Sequence, residues 1–66
     1  MTKTVANTVV SNGQYRIVFN DTEQVYPYSI YFERYDDNNE WQSEKVSCHR
    51  ELKYCMYRIA EEMTNR

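Results

Sequence analysis

The first part of the chain alternates hydrophobic and polar positions as β-strands do. Residues 2–10 are rich in β-branched side chains, and residues 14–20 alternate apolar with polar positions. A period of two is typical of half-buried strands. Asn12 and Gly13 separate the two segments, and this pair is a strong hairpin signal because both residues accept positive φ. The pattern predicts a β-hairpin.

Two further strands are predicted after this hairpin. Residues 25–35 alternate again, and Pro27 suits the start of a strand, an edge or a bulge, because it cannot donate to a ladder. Residues 36–39 are four turn-forming side chains in a row. The fourth strand is predicted over residues 40–46. Trp41 and Val46 have opposite parity there, which indicates a bulge or a twist.

The last segment changes to a helical period. Ser47 can act as the N-cap of a helix over residues 48–63. Its apolar stripe follows the spacing of an amphipathic helix and comprises Leu52, Cys55, Met56, Ile59, Ala60 and Met63.

The sequence therefore predicts a single small α+β domain over residues 1–66. It is a four-stranded antiparallel β-meander packed against one C-terminal α-helix, in the order β-β-β-β-α. The predicted core comprises Ile17, Phe19, Ile30, Phe32, Leu52, Cys55, Met56 and Ile59. One helix covers one face of a sheet, so the other face must meet water, a second copy or a partner.

Composition and charge narrow the classes of function. The chain has 66 residues and a net charge of −2, which argues against a general polyanion binder. No apolar run approaches the roughly 18 residues that span a bilayer, and no secretory signal is evident. The expected location is the cytoplasm. Seven tyrosines argue against a disordered chain, which would be poor in aromatic residues.

No residue set predicts catalysis, a metal or a cofactor. Cys48, His49 and Cys55 are the nearest approach to a metal site. Cys48 and Cys55 on one helix would be separated by about 10 Å of rise, too far for a shared zinc ion. Adjacent Cys48 and His49 point in different directions on a helix and have no third residue to orient them. We therefore expect a non-enzymatic protein.

Aromatic and charged side chains predict a contact surface. The alternation of the third strand turns Tyr31 and Tyr35 outward if Ile30 and Phe32 pack inward. Tyr54 and Tyr57 lie off the apolar stripe of the helix. An acidic turn, formed by Asp36 and Asp37 with Glu33 and Glu40, could engage a basic partner groove. The candidate partner-binding residues are Tyr31, Arg34, Tyr35, Asp36, Asp37, Tyr54 and Tyr57.

Three functions are compatible with this pattern. The first is a small protein-binding module. In size and character the chain resembles stand-alone proteins of phages and mobile elements, and this resemblance implies an inhibitor that docks on a host nucleic-acid-processing machine such as a CRISPR effector.

The second is single-stranded nucleic-acid binding by a homodimer. The β-β-β-β-α order resembles the positive-cofactor transcription coactivators and the Pur and Whirly repeats, in which sheets present basic and aromatic residues to single strands. It requires Arg16, Arg34 and the outward tyrosines to share one surface. The third is a structural homodimer whose open sheet faces pack together.

Overall fold

The computed structural model describes residues 1–65. Its elements are β1 (Thr2–Val10), β2 (Gly13–Asn20), β3 (Tyr28–Tyr35), β4 (Trp41–His49) and α1 (Leu52–Thr64). The strands form one sheet in the order β1-β2-β3-β4, and each neighbouring pair is antiparallel. The predicted fold class, an antiparallel meander followed by one C-terminal helix, is confirmed.

The first hairpin has the predicted position but not the predicted turn. Ser11 and Asn12 join β1 to β2, and Gly13 already belongs to β2. Within residues 1–65 only Asn39 has a positive φ, so the positive-φ turn at Asn12-Gly13 is wrong. A Cβ added to Gly13 would lie 2.5 Å from the carbonyl oxygen of Glu33. Glycine is therefore required for the close approach of β2 to β3.

Both outer strands contain a bulge. The register of β1 shifts at Val5, and that of β4 shifts at Val46, opposite Ile30 and Tyr31. Val46 is the extra residue and packs against the core, while Trp41 pairs with Tyr35 on the opposite face of the sheet. The bulge or twist predicted from their parity is confirmed as a bulge.

The core lies between α1 and one face of the sheet. Its buried members come from the two central strands and the helix: Tyr15, Ile17, Ile30, Phe32, Cys55 and Ile59. Ala6, Val10, Tyr28, Val46 and Leu52 pack around this cluster and are partly buried.

The predicted core was partly wrong. Phe19 and Leu52 are only half-buried, and Met56 is 59% exposed. One helix contacts a single sheet through a narrow stripe, and Met56 lies about 100° around the helix from Cys55. Tyr15, which is 1% exposed, is a core member outside the predicted set.

The change from strand to helix comes later than predicted. Ser47 does not cap a helix, because β4 continues through His49 and α1 begins at Leu52. Pairing with β3 satisfies backbone groups that a helix start would leave unpaired. Glu51 is the N-cap residue, with extended backbone and no side-chain capping hydrogen bond.

Candidate functional site

The face of the sheet opposite α1 is not covered by any element of residues 1–65. We call it the open sheet face. Strand alternation and the cross-strand register bring together its side chains from all four strands. Its central members are Thr4, Gln14, Arg16, Val18, Ser29, Tyr31, Glu33, Tyr35, Trp41, Ser43 and Lys45.

A buried carboxylate lies in the middle of this face. Glu33 is only 4% exposed. Arg16 donates to both of its oxygens, from Nε to Oε1 at 3.0 Å and from Nη2 to Oε2 at 2.8 Å. Gln14 Nε2 donates to Oε1 and Ser43 Oγ to Oε2, each at 2.9 Å. Arg16 Nη1 also donates to Thr4 Oγ1 at 3.1 Å, so one network spans the four strands.

This network fixes the charge state of its members. The hydrogen bonds from Arg16 lower the pKa of Glu33 to about 2, and those from Gln14 and Ser43 act in the same direction. The hydrogen bond to Glu33 raises the pKa of Arg16. The ion pair is therefore formed at neutral pH. The prediction that Glu33 belongs to the acidic turn is wrong, because Glu33 is a buried member of β3.

Tyr31 lies beside the ion pair. The guanidinium carbon of Arg16 is 5.4 Å from the centre of the Tyr31 ring, close enough for a cation–π contact. Lys45 is its register partner on β4. Tyr31 is half-buried, so one part of its ring supports the network while the rest is accessible on the open sheet face.

A second aromatic group lies at the end of this face. Tyr35 and Trp41 are cross-strand partners whose ring centres are 4.8 Å apart, at an interplanar angle of 67°. Tyr35 is 62% exposed and Trp41 is 48% exposed. The edge-to-face contact holds both rings in place while they remain accessible. Trp41 was absent from the predicted site, although it is the single tryptophan of the chain and its odd parity was evident.

The acidic turn joins this aromatic pair. The Asp36 carboxylate accepts hydrogen bonds from the backbone N–H groups of Asn38 and Glu40, both at 2.9 Å, and from Gln42 Nε2 at 2.9 Å. These bonds, led by that from Glu40, lower the pKa of Asp36. Asp37 and Glu40 are exposed, and within residues 1–65 their carboxylates have no hydrogen-bond or ion-pair partner. Asp36 therefore organises the turn, and its two neighbours present free charge.

The other candidate residues lie elsewhere. Arg34 is exposed beside Phe32 and Glu44, on the side of the sheet that carries the core. Tyr54 and Tyr57 are exposed on α1, with ring centres 6.3 Å apart. The candidates therefore do not form one surface. Only Tyr31, Tyr35 and the acidic turn share the open sheet face or its end.

No metal cluster of His, Cys, Asp or Glu occurs among residues 1–65. Cys48 and His49 lie on β4, and Ser47 Oγ is 2.9 Å from His49 Nε2. The prediction that His49 lies on the helix is wrong, since His49 is half-buried in a strand. Burial raises the pKa of the Cys55 thiol. Cys55 is a member of the buried core.

Comparisons with known proteins do not assign the chain to a family. No protein-family model, curated protein or solved structure matches it. Among the described residues, no helix has the length and apolar character needed to cross a membrane.

Proposed function

We propose that this chain is a small non-enzymatic protein-binding module that contacts its partner through the open sheet face. The observation that carries the proposal is the row of accessible aromatic rings on an uncovered sheet. Tyr31, Tyr35 and Trp41 lie on that face, and the last two are held edge-to-face. Tyrosine and tryptophan are the residue types that most often anchor protein interfaces.

The rigidity of the face supports this role. The network around Glu33 joins all four strands and fixes the base of the aromatic row. A contact surface that is already ordered loses little conformational entropy when a partner binds. The face therefore needs no rearrangement to receive a partner.

The charges favour a protein partner over nucleic acid. Arg16 shares the face with the outward tyrosines, but its guanidinium is bound to Glu33 and Thr4. Arg34, which the nucleic-acid hypothesis requires on the same surface, alternates to the core side of the sheet and lines the cleft at the end of the strands. Lys45 is then the remaining cation near Tyr31. Phosphate backbones are normally held by several cations.

The sharper form of the proposal is an inhibitor of the kind found in phages and mobile elements. Its partner would be a nucleic-acid-processing machine such as a CRISPR effector. The acidic turn at the end of the aromatic row supports this form, because such machines carry basic grooves for nucleic acid.

Site-specific photo-crosslinking tests the surface. A benzoylphenylalanine replaces Tyr35 on the open sheet face or Tyr57 on the outside of α1. Position 57 is the matched control for position 35, since Tyr57 is 66% exposed and Tyr35 is 62% exposed. We expect position 35 to crosslink a discrete protein in the cells that produce the chain, and position 57 to give none. Crosslinking from position 57 alone would contradict the proposal.

Two functional assays separate the alternatives. In the first, the chain is added to target-cleavage reactions of purified CRISPR effectors, and inhibition should be lost in Tyr35→Ala/Trp41→Ala but kept in Tyr54→Ala/Tyr57→Ala. In the second, fluorescence anisotropy follows single-stranded DNA and RNA at two salt concentrations. Micromolar binding that weakens steeply with salt would favour the nucleic-acid hypothesis instead.

A further inference from the structure

One end of the molecule combines aromatic surface with negative charge. We call it the acidic–aromatic corner, formed by Tyr35, Asp36, Asp37, Glu40 and Trp41. Tyr35 is the last residue of β3 and Trp41 is the first residue of β4, and the carboxylates lie on the turn that joins these strands. The carboxylates of the corner therefore lie on the turn that links its two exposed rings.

The aromatic pair borders an open cleft. The cleft has a volume of about 370 Å³, and it lies between the rings of Tyr35 and Trp41 and the turn that joins β1 to β2. Ser11, Asn12 and Gln14 also line the cleft with polar side chains, and Gly13 and Arg34 complete its lining. A flat polar group that stacks on a ring can therefore reach hydrogen-bond acceptors across the cleft.

The charge of the chain is concentrated at this corner. Residues 34–41 contain three carboxylates and one guanidinium, so they account for the whole net charge of −2. Asp36 is already used by the turn, and Arg34 influences the pKa of that carboxyl. Asp37 and Glu40 are left to interact with a cation from outside.

We propose that the acidic–aromatic corner receives an arginine side chain from a basic surface of the partner protein. This inference rests on the proposed protein-binding function and names the chemistry of its partner. A guanidinium stacks on the faces of Trp and Tyr, and its remaining N–H groups pair with carboxylates. Lysine matches this corner less well, because its compact ammonium is strongly hydrated and does not stack.

The same charges disfavour phosphate as the group received. Asp37 and Glu40 would repel a phosphate placed over the rings, and Arg34 is the single cation among residues 34–41. The partner surface is therefore cationic. A basic groove that normally holds nucleic acid has this chemistry.

Trp41 supplies the test, because it is the only tryptophan and lies within the corner. Its fluorescence is followed while a short arginine–glycine repeat peptide is added, and the lysine–glycine peptide of equal length serves as the comparison. We expect saturable quenching by the arginine peptide, with an affinity about twofold to fivefold higher than that of the lysine peptide.

Charge variants locate the binding. Asp37→Asn/Glu40→Gln removes two negative charges at the corner, and Glu51→Gln/Glu61→Gln removes two at exposed positions 51 and 61. We expect the first variant to lose about twofold to fivefold in affinity for the arginine peptide and the second to keep it. Equal quenching by both peptides, equal loss in both variants or no quenching would overturn the inference.

The two proposals can fail separately. If position 35 crosslinks a protein but the corner does not prefer arginine, the protein-binding function stands and the arginine chemistry is wrong. If the arginine preference is observed but no protein is crosslinked from position 35, the corner binds arginine and the proposed function is wrong.

Discussion

At the scale of single residues, the ion pair between Glu33 and Arg16 determines how the open sheet face is built. A carboxylate that is 4% exposed is tolerated in a strand only because four donors from neighbouring side chains satisfy it. The stability that this ion pair adds should decrease at acidic pH, because the pKa of Glu33 is lowered in the folded state.

Glu33→Gln should therefore lower the free energy of unfolding by about 2–3 kcal/mol at neutral pH. The folded-state pKa of Glu33 is lowered from 4.5 to about 2. The stabilisation is thus fully present above the unfolded value and is lost as pH falls through the folded one. Urea denaturation from pH 7 to pH 2 measures this. A difference between wild type and variant that stays constant down to pH 2 would contradict the linkage.

Gly13 gives a second prediction at this scale. Gly13→Ala should lower the free energy of unfolding by about 1–3 kcal/mol, because the new methyl group meets the Glu33 carbonyl oxygen at 2.5 Å and the Phe32 ring at 2.9 Å. Asn12→Ala is the control and should change stability by less than about 0.5 kcal/mol. If the two substitutions cost the same in denaturant melts, Gly13 is a turn residue rather than a contact residue.

At the scale of elements, hydrophobic periodicity predicted the strands and the helix more accurately than turn and capping residues predicted their ends. Alternation and the helical stripe gave four strands and one helix in the right order. The N-cap signal at Ser47 failed because pairing with β3 extends β4 to His49, a long-range effect that no local pattern contains.

In the candidate site, too, alternation predicted which face a side chain lies on, but not its partners on other strands. Parity predicted that Tyr31 and Tyr35 face away from the helix, and the register agrees. The partners of Glu33 could not be predicted, because Arg16 and Ser43 reach it from different strands. Trp41 was missed because its face depends on the pairing of β4 with β3, in which it lies opposite Tyr35.

The helix register gives a prediction at the element scale. Ile59 is 6% exposed and Met56 is 59% exposed. Ile59→Ala should therefore lower the free energy of unfolding by about 2–5 kcal/mol, and Met56→Ala by less than about 1 kcal/mol. Guanidinium melts of both variants test the contrast. A larger loss for Met56→Ala would mean that α1 is rotated from the register described above.

At the scale of the whole molecule, a single helix covers only one face of the sheet, so the open sheet face contacts either solvent or a partner. The open sheet face is not a bare apolar layer. Its centre is an ion-pair network, and its accessible aromatic rings lie beside this network and at one end. This arrangement keeps the face hydrated when it is free and still offers ring surface for binding.

A face with this pattern should not pair with itself. In a two-fold face-to-face dimer each copy presents the same patch, and obligate homodimer interfaces are more apolar than a face centred on Arg16 and Glu33. We expect light scattering to give the mass of one chain at every concentration tested, for wild type and for Tyr35→Ala/Trp41→Ala alike. A dimer that Tyr35→Ala/Trp41→Ala dissociates would show that a second copy, and not another protein, covers the open sheet face.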